Sequence, residues 1–483
     1  KNNDLYYEFA KQLRSYLFSS TRVDVILITS FFDGFHDNSI TSLDFDYSFP
    51  PTFCVVHDLI PLVNPKEYLD QDDGYKKFYL NKINELSKIN FFLTNSQSTA
   101  NELNQYLPIE QERIINVSSG CDKSIFHPIF DQNLNKSTFN NLGKYILYCG
   151  AIDSRKNVRR FIEAYSLLNQ ELQKEYKLVF VGKLLYEEET EAKNWIKEFN
   201  INPTLIIFLG YVNDKNLAEL YRNCCLFVQP SLHEGFGLPI LEAMSCGAPV
   251  IASNCTSIPE VIGKEEFLFD PYDVLSILTL LNRGLLDLNF QEELRKHSII
   301  RCQLFSWDKV ATKTFQTFKV YLDKYQDIQI INSNNNFQDA TDYLDKFNIL
   351  KLKIGQISSQ FQHRKITLST LSMLAASIDK VDKQIIRVNS STNPINLSTW
   401  RIEGPFDSSY SLAILNREYV RALVDKVGEI EIINTEGNGD YFPNIKYLKK
   451  ENDIYEFYKK PINKSRKVSL ISRNMYPPRV NKM

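Results

Sequence analysis

The chain lacks several features that would point to particular classes of protein. Its eight cysteines are scattered and include no C-x-x-C spacing, which argues against a metal site or a disulfide framework and favours reduced thiols in the cytosol. It contains neither a signal peptide nor a run of about eighteen apolar residues, so the sequence predicts no membrane-spanning helix. The formal net charge is only −2, and nothing in the composition favours nucleic acid as a partner.

What is present is the composition of a folded protein with several domains. Hydrophobic residues make up 43% and charged residues 24% of the 483 residues, which is ordinary for a globular protein. This length corresponds to about three domains. Short apolar runs alternate with amphipathic helical patterns along most of the chain, and this alternation predicts an α/β protein with parallel, doubly wound sheets.

The most informative stretch lies at residues 226–244. An apolar run at its start predicts a buried strand, and Pro239 marks the first turn of a following helix. The loop between them contains two glycines and ends at a helix amino terminus, which is a favourable place for a diphosphate. Glu234 lies in the loop and Glu242 about one turn into the helix, so we expect both carboxylates in one cleft. A carboxylate on that helix can accept hydrogen bonds from a ribose diol.

The same stretch resembles the E-x7-E signature of the retaining glycosyltransferases of family 4, and the likeness continues through residues 246–252 and 258–261. The resemblance implies a GT-B fold, in which two Rossmann-like domains face each other and the carboxyl-terminal one holds a nucleotide sugar. It implies that Glu234 binds the transferred sugar and Glu242 the ribose. It also implies a set of donor-binding loop residues, namely Gly235, Phe236, Gly237 and Leu238.

A second motif follows the predicted strand at residues 145–148. Gly150 leads into a turn that carries Arg155 and Lys156, which places two cations at the carboxyl end of a strand. By themselves they could be a solvated pair. The stretch resembles the R-K-N of family 4 enzymes, which implies that Gly150 lies at the donor site and that both cations hold the donor diphosphate. Some relatives place an arginine where this chain has Ala151.

A third motif lies in the amino-terminal part of the chain. The predicted strand at residues 53–56 ends in the string H-D-L-I-P-L, which begins at His57. Although a structural histidine is common, this string resembles a motif of mannosyltransferases within family 4, and the resemblance implies that His57 approaches the donor sugar. Further along, Ser96 predicts an N-cap whose neighbouring amides either bind phosphate or acceptor hydroxyls, or serve the cap alone.

These patterns divide the chain into four parts. We predict a partial amino-terminal Rossmann-like domain over residues 1–121 and a nucleotide-sugar-binding domain over 141–330, whose last helix packs back across the junction. Residues 331–399 are predicted to be a mostly helical linker. Residues 400–483 resemble the opening of a second glycosyltransferase amino-terminal domain, cut short. The first strand of the first domain, with its glycine-rich turn, is expected upstream of the given sequence.

The resemblance favours one enzymatic function. It implies retaining transfer of a hexose, specifically mannose from GDP-mannose, onto a growing surface polysaccharide or lipid-linked glycan, with no cofactor and no metal. The enzyme would act in the cytoplasm, with peripheral association at the inner face of the plasma membrane. Three alternatives stay open: an epimerase of nucleotide sugars, a metal-dependent transferase suggested by the D-x-D triplet at Asp44–Asp46, and a non-catalytic module that holds a glycan or a partner.

Overall fold

The structure is a computed structural model that describes most of the first 332 residues and short pieces beyond them. The described ranges are 3–20, 24–35, 40–47, 49–129, 139–183, 185–332, 399–404, 420–421, 429–434, 452–459 and 470–473, together with the single residues 349, 352 and 449. The predicted linker at residues 331–399 therefore lies almost entirely outside the described part of the chain.

The described strands are short, as their short apolar runs predict. In chain order they are β1 Val25–Ile28, β2 Thr52–Val56, β3 Phe91–Thr94, β4 Ile114–Asn116, β5 Lys144–Cys149, β6 Tyr176–Val181, β7 Ile206–Phe208, β8 Leu226–Gln229, β9 Val250–Ser253, β10 Leu268–Phe269, β11 Thr399–Gly404, β12 Glu429–Asn434 and β13 Leu470–Arg473.

Helices alternate with these strands. In chain order they are α1 Asn3–Ser20, α2 Ile60–Val63, α3 Pro65–Tyr68, α4 Asp73–Leu86, α5 Gln97–Tyr106, α6 Val158–Ser166, α7 Gln170–Glu175, α8 Tyr186–Glu198, α9 Asp214–Asn223, α10 Leu238–Ser245, α11 Ile258–Ile262, α12 Val274–Leu286, α13 Leu288–Arg301, α14 Trp307–Asn332 and α15 Asn452–Lys459. None of the helices in the described ranges combines the length and apolar character needed to cross a bilayer.

The carboxyl-terminal domain is built on a parallel sheet with the strand order β10-β9-β8-β5-β6-β7. Its central strands are apolar because helices cover both faces, and Leu147, Val179 and Phe227 are completely buried. The chain runs outward from β5 through β7 and then crosses to β8 on the other side of β5. This reversal creates a topological switch point at the carboxyl ends of β5 and β8, where ligands bind in open α/β sheets.

The amino-terminal domain is a second parallel sheet, in the order β12-β11-β13-β1-β2-β3-β4. The sequence predicts a separate, partial third domain beyond residue 400. In the structure the three described strands of that region instead extend this sheet, with β13 paired to β1. The pairing satisfies backbone groups that an edge strand at β1 would expose. It also buries Val420 and Ile454 in one apolar cluster with Val25 and Leu27.

Helix α14 returns from the carboxyl-terminal domain to the amino-terminal sheet, as the family resemblance implies. Ser306 caps its start by accepting a hydrogen bond from the Lys309 amide at 3.3 Å. Phe318 is completely buried and lies edge-on to Phe53 of β2, with 4.6 Å between the ring centroids. The helix thereby ties the two sheets together and sets their carboxyl ends against each other.

Candidate functional site

The turn after β5 places two cations at the switch point. Asp153 caps this turn by accepting a hydrogen bond from the Lys156 amide at 2.9 Å. Asn157 follows with φ of 56° and donates from its buried amide to the carbonyls of Pro230 and Pro271, at 3.1 and 2.8 Å. These bonds attach the turn to the loop after β8, so Arg155 and Lys156 stand beside that loop.

The loop after β8 carries the first glutamate of the signature. Glu234 is only 8% exposed, yet its carboxylate has four donors. Lys156 Nζ lies 2.6 Å from Oε1 and Arg155 Nη1 lies 3.2 Å from Oε2. Ser231 and Gln229 also donate to Oε1, at 2.7 and 3.1 Å. The residues predicted as diphosphate ligands and the residue predicted to bind sugar therefore form one ion-paired cluster.

Electrostatics keep this cluster charged. Burial alone would raise the pKa of the Glu234 carboxyl, but the charges of Lys156 and Arg155 outweigh burial and lower that pKa. Burial likewise works against the charge of Arg155, while Glu234 and Asp153 raise its pKa above the ordinary value. Glu234 is consequently an anion at neutral pH. Lys156 and Arg155 can leave it only for another acceptor of similar charge.

The amino terminus of α10 lies next to this cluster. Gly237 adopts φ of 102° at the N-cap, a conformation that favours glycine, and Pro239 occupies the first turn. The first N–H groups of any helix have no partner within the helix, and the helix dipole adds partial positive charge there. The start of α10 therefore carries partial positive charge, and anion binding there stays a prediction.

The second glutamate of the signature lies on α10 and lines the cleft. The hydroxyl of Tyr221 donates to Glu242 Oε2 at 3.1 Å. Burial and, to a smaller extent, the nearby Asp214 outweigh the hydrogen bond from Tyr221 and raise the pKa of Glu242 to about 8. At neutral pH the carboxyl group of the ligand-free protein is mostly protonated, so ligand hydroxyls that donate to it must also displace a proton.

His57 faces this cleft from the amino-terminal domain. It follows β2, and its Nε2 lies 3.3 Å from the Thr29 carbonyl. Desolvation lowers the pKa of His57 below its ordinary value, so the ring is neutral at physiological pH. The carbonyl oxygen of His57 lies against Gly235, where a Cβ atom would overlap it. The two domains therefore meet directly at the loop between β8 and α10, residues 230–237, which we call the signature loop.

The cleft between the domains has a volume of about 440 Å³. It brings together most of the predicted site residues: His57, Glu234, Gly235, Phe236, Gly237, Leu238 and Glu242. Arg155 instead lines a neighbouring cavity on the other side of the signature loop. Gly150 lines neither cavity; it lies at the end of β5 and packs so tightly that a Cβ on Gly182 would overlap its carbonyl.

Several cleft residues are not singled out by the sequence. Asp58, Asn95, Ser118, Ser119 and Asp214 all line the cleft. Each except Asp58 lies in a polar segment after a predicted strand, and that position is the signal that could have identified them. Arg421 and Trp307 also line it, and they enter only because the carboxyl-terminal pieces and α14 pack onto the amino-terminal sheet.

The amides near Ser96 have a different partner from the one expected. Ser96 caps α5 as predicted, accepting from the Thr99 amide at 3.0 Å. The preceding amides of Gln97 and Ser98 donate to the Glu260 carboxylate of the other domain, at 2.7 and 2.6 Å. In this structure the start of α5 therefore binds a carboxylate of the protein, and this contact links the domains.

Two parallel α/β domains that face each other through their strand ends are the arrangement of the GT-B fold. The cleft between them holds a helix amino terminus and two glutamates, and Arg155 and Lys156 pair with the first of these glutamates. Comparison with known proteins identifies the family. Residues 130–300 match the family described as glycosyl transferases group 1. The match covers most of the carboxyl-terminal domain and includes both glutamates of the signature.

The curated relatives include bacterial mannosyltransferases. The chain is 33% identical over 394 residues to the serotype-specific mannosyltransferase WbdA of Escherichia coli, a match covering 78% of this chain and 48% of that protein. It is 39% identical over 176 residues to the O-antigen chain mannosyltransferase B of Escherichia coli, covering 36% of this chain and 46% of that protein. The chain thus spans about half the length of the curated relatives it matches.

A solved structure agrees on the fold. The glycosyltransferase from Rickettsia africae superposes with a TM-score of 0.51 at 17% sequence identity, covering 66% of this chain and 81% of that one. At this identity the likeness concerns architecture alone.

Proposed function

We propose that the chain is a retaining mannosyltransferase that moves mannose from GDP-mannose onto a growing surface polysaccharide or lipid-linked glycan. The observation that carries the proposal is the buried cluster of Glu234 with Arg155 and Lys156 beside the amino terminus of α10. Cations and helix amides at a switch point suit a sugar diphosphate. The names of the relatives support mannose as the sugar and O-antigen as the kind of acceptor.

The cleft suggests how the donor is held. The diphosphate would bind at the amides of Gly237 and Leu238 and draw Lys156 and Arg155 toward it, which frees the Glu234 carboxylate for sugar hydroxyls. Glu242 would accept hydrogen bonds from the ribose. His57, neutral because of desolvation, would position the sugar from the opposite wall of the cleft.

Transfer then needs stabilisation of the leaving group. The bond from the anomeric carbon to the phosphate oxygen breaks, its electron pair goes to the diphosphate, and the acceptor oxygen bonds to the anomeric carbon from the same face. In this proposal Lys156, Arg155 and the α10 amides would stabilise the negative charge that develops on the diphosphate. We assign no side chain as general base, because the leaving phosphate oxygen can take the proton of the acceptor hydroxyl.

We propose that the reaction requires no metal. Arg155 and Lys156, which pair with Glu234 in the absence of donor, would supply at the diphosphate the positive charge that a divalent ion could otherwise supply. The D-x-D triplet has a structural explanation, since Asp44 accepts hydrogen bonds from Gln12 Nε2 at 2.6 Å and from the Asp46 amide at 3.0 Å. Activity that persists in EDTA is the expected result.

The acceptor and its location are part of the same proposal. We infer a glycan or lipid-linked acceptor, with peripheral attachment to the inner face of the membrane that would carry such a lipid. We also propose that residues 400–483 are related to the opening of a glycosyltransferase amino-terminal domain, although their described strands join the first sheet in this structure.

A donor and acceptor screen tests the proposed function. The chain is incubated with GDP-mannose, GDP-fucose or UDP-glucose, each with and without a mannose oligosaccharide, and products are separated by mass. Elongation of the oligosaccharide by one hexose with GDP-mannose alone among the donors is expected. A new sugar nucleotide without acceptor would identify an epimerase, and absence of binding heat with GDP-mannose would identify a non-catalytic module.

A further inference from the structure

A second cavity lies on the opposite side of the signature loop from the donor cleft. Its volume is about 460 Å³, and it is bounded by α5 and by the loops after β8, β9 and β10. The two cavities are separated where the domains meet, because the Thr99 hydroxyl lies 3.2 Å from the His57 carbonyl and 3.3 Å from that of Gly235. Except for Arg155 in its wall, nothing in the proposed chemistry uses this second cavity.

The lining of the second cavity is rich in groups that both donate and accept hydrogen bonds. Three amide side chains contribute: Asn64, Asn101 and Gln105. The lining also includes the carboxylates of Glu67 and Glu102 and the guanidinium of Arg155. A ligand with many hydroxyls and no net charge matches these groups, because each hydroxyl is at once a donor and an acceptor.

Two aromatic rings stand at the edge of the same cavity. The side chains of Tyr106 on α5 and Tyr272 after β10 are 42% and 62% exposed. Tyr272 is held in place, since its amide donates to Asp270 at 2.9 Å and the Arg160 guanidinium lies 5.8 Å from its ring centroid. An exposed aromatic face beside hydrogen-bonding groups suits a pyranose ring, which presents C–H groups on one face and hydroxyls at its edge.

The wall between these rings holds polar atoms that lack partners. His233 Nε2 lies 2.9 Å from Glu102 Oε1, yet the contact lacks the alignment of a hydrogen bond, and Glu102 Oε2 also has no partner. Both side chains are largely buried, at 7% and 12% exposure. Buried polar atoms without partners are uncommon in native proteins, and ligand hydroxyls are one means of satisfying them.

We propose that this cavity is a secondary glycan site, which holds the growing saccharide away from the point of transfer. The inference rests on the proposed function. It adds a second binding site, formed by different residues from the donor cleft, for a neutral oligosaccharide. Because the signature loop separates the cavity from the donor cleft, the site acts on acceptors long enough to occupy both. Short acceptors occupy the cleft alone.

Calorimetric titration of the full chain with a mannose oligosaccharide, in the absence of donor, tests this site. The variant Y272A combined with Q105A should bind about tenfold more weakly than the native chain, while GDP binds both equally. The matched control is Y211A, which removes a tyrosine that is 64% exposed and lies outside both cavities. Thermal denaturation of each variant confirms that it is folded.

Transfer assays with short and long acceptors complete the test. In the double variant, the KM for a long acceptor should rise about tenfold, while kcat and the KM for GDP-mannose stay the same. Equal oligosaccharide binding by the native chain and the double variant would overturn the site, as would no binding by the native chain. Failure of transfer with every donor, combined with oligosaccharide binding that the double variant loses, would count against the transferase alone.

Discussion

The carbonyl oxygen of His57 packs directly against Gly235, so the two domains touch at the loop that carries Glu234. A Cβ atom at Gly235 would overlap that backbone oxygen, which cannot rotate away as a flexible side chain could. The variant G235A should therefore keep the domains apart. We expect the KM for the donor to rise and kcat to fall, each by about tenfold or more, because the wall that carries His57 no longer closes.

Small-angle scattering of the G235A variant checks the physical reason. With GDP present, its radius of gyration should exceed that of the native chain. The control is G210A, since a Cβ at Gly210 meets nothing within 4 Å, although the backbone φ of 66° there is also less favourable for alanine. Native kinetics and scattering in G235A would contradict the importance of this contact.

Lys156 is the most direct test of the diphosphate site. Removing the ammonium in K156A deprives the leaving group of a charged donor, and kcat should fall by roughly 100- to 1000-fold, as when an oxyanion donor is removed elsewhere. K156R retains the charge and should recover part of this loss. The exposed Lys296, which pairs with Glu292 on α13, provides the control K296A, for which native steady-state kinetics are expected.

If Glu242 binds the ribose as proposed, nucleotide binding should depend on pH. Burial raises the pKa of its carboxyl to about 8 in the ligand-free chain, whereas a ribose diol that donates two hydrogen bonds favours the ionised form. Binding below that pH must release a proton, so affinity for GDP should increase as pH rises to about 8 and then level off. Calorimetry in buffers of different ionisation enthalpy measures the number of protons that GDP binding releases. In E242Q the proton release and the pH dependence should both disappear.

Lys82 is a buried cation whose charge is expected to destabilise the amino-terminal domain. Its ammonium donates to the hydroxyls of Thr41 and Ser42, at 2.5 and 2.7 Å, and burial lowers its pKa to about 7. The unfolded chain keeps a lysine pKa near 10.4, so between these values it binds more protons than the folded chain. The free energy of unfolding should therefore increase as pH rises from about 7 to about 10.

The variant K82M isolates this effect. At pH 6 it should be more stable than the native chain by on the order of 1–4 kcal/mol, and the difference should shrink toward pH 10. Thr41 and Ser42 keep other partners, the Phe31 carbonyl and the Tyr7 hydroxyl, so the substitution leaves no hydroxyl unpaired. Urea denaturation at several pH values measures the difference, and a constant difference across this range would refute the assignment.

Ile454 on α15 tests whether the carboxyl-terminal pieces belong to the amino-terminal sheet. It is completely buried in the cluster that contains Val25, Leu27 and Phe318. I454A should reduce the free energy of unfolding by about 2–5 kcal/mol through lost burial and a cavity. The neighbouring Glu456 pairs with Lys459 at the surface, and E456A should change stability by less than about 1 kcal/mol. Equal stability of both variants would show that α15 does not pack there.

Much of the carboxyl-terminal domain follows from local sequence. An apolar run, a glycine and a proline suffice to predict β8, its loop and the start of α10, because strand burial and helix initiation depend on neighbouring residues. The same reasoning places His57, Arg155 and Lys156 after strands, and all three lie there. Their functional roles came from the family resemblance and remain predictions, since ligand contacts depend on groups outside the chain.

Local sequence is enough to predict which residues form strands, caps and charged loops, since these depend on groups a few positions apart. Which of these residues contact one another depends on long-range packing. Lys156 and Glu234 are 78 positions apart and pair because β5 and β8 are adjacent in the sheet. Glu260 binds the start of α5, and β13 joins β1, because packing between domains satisfies backbone groups that no local pattern identifies.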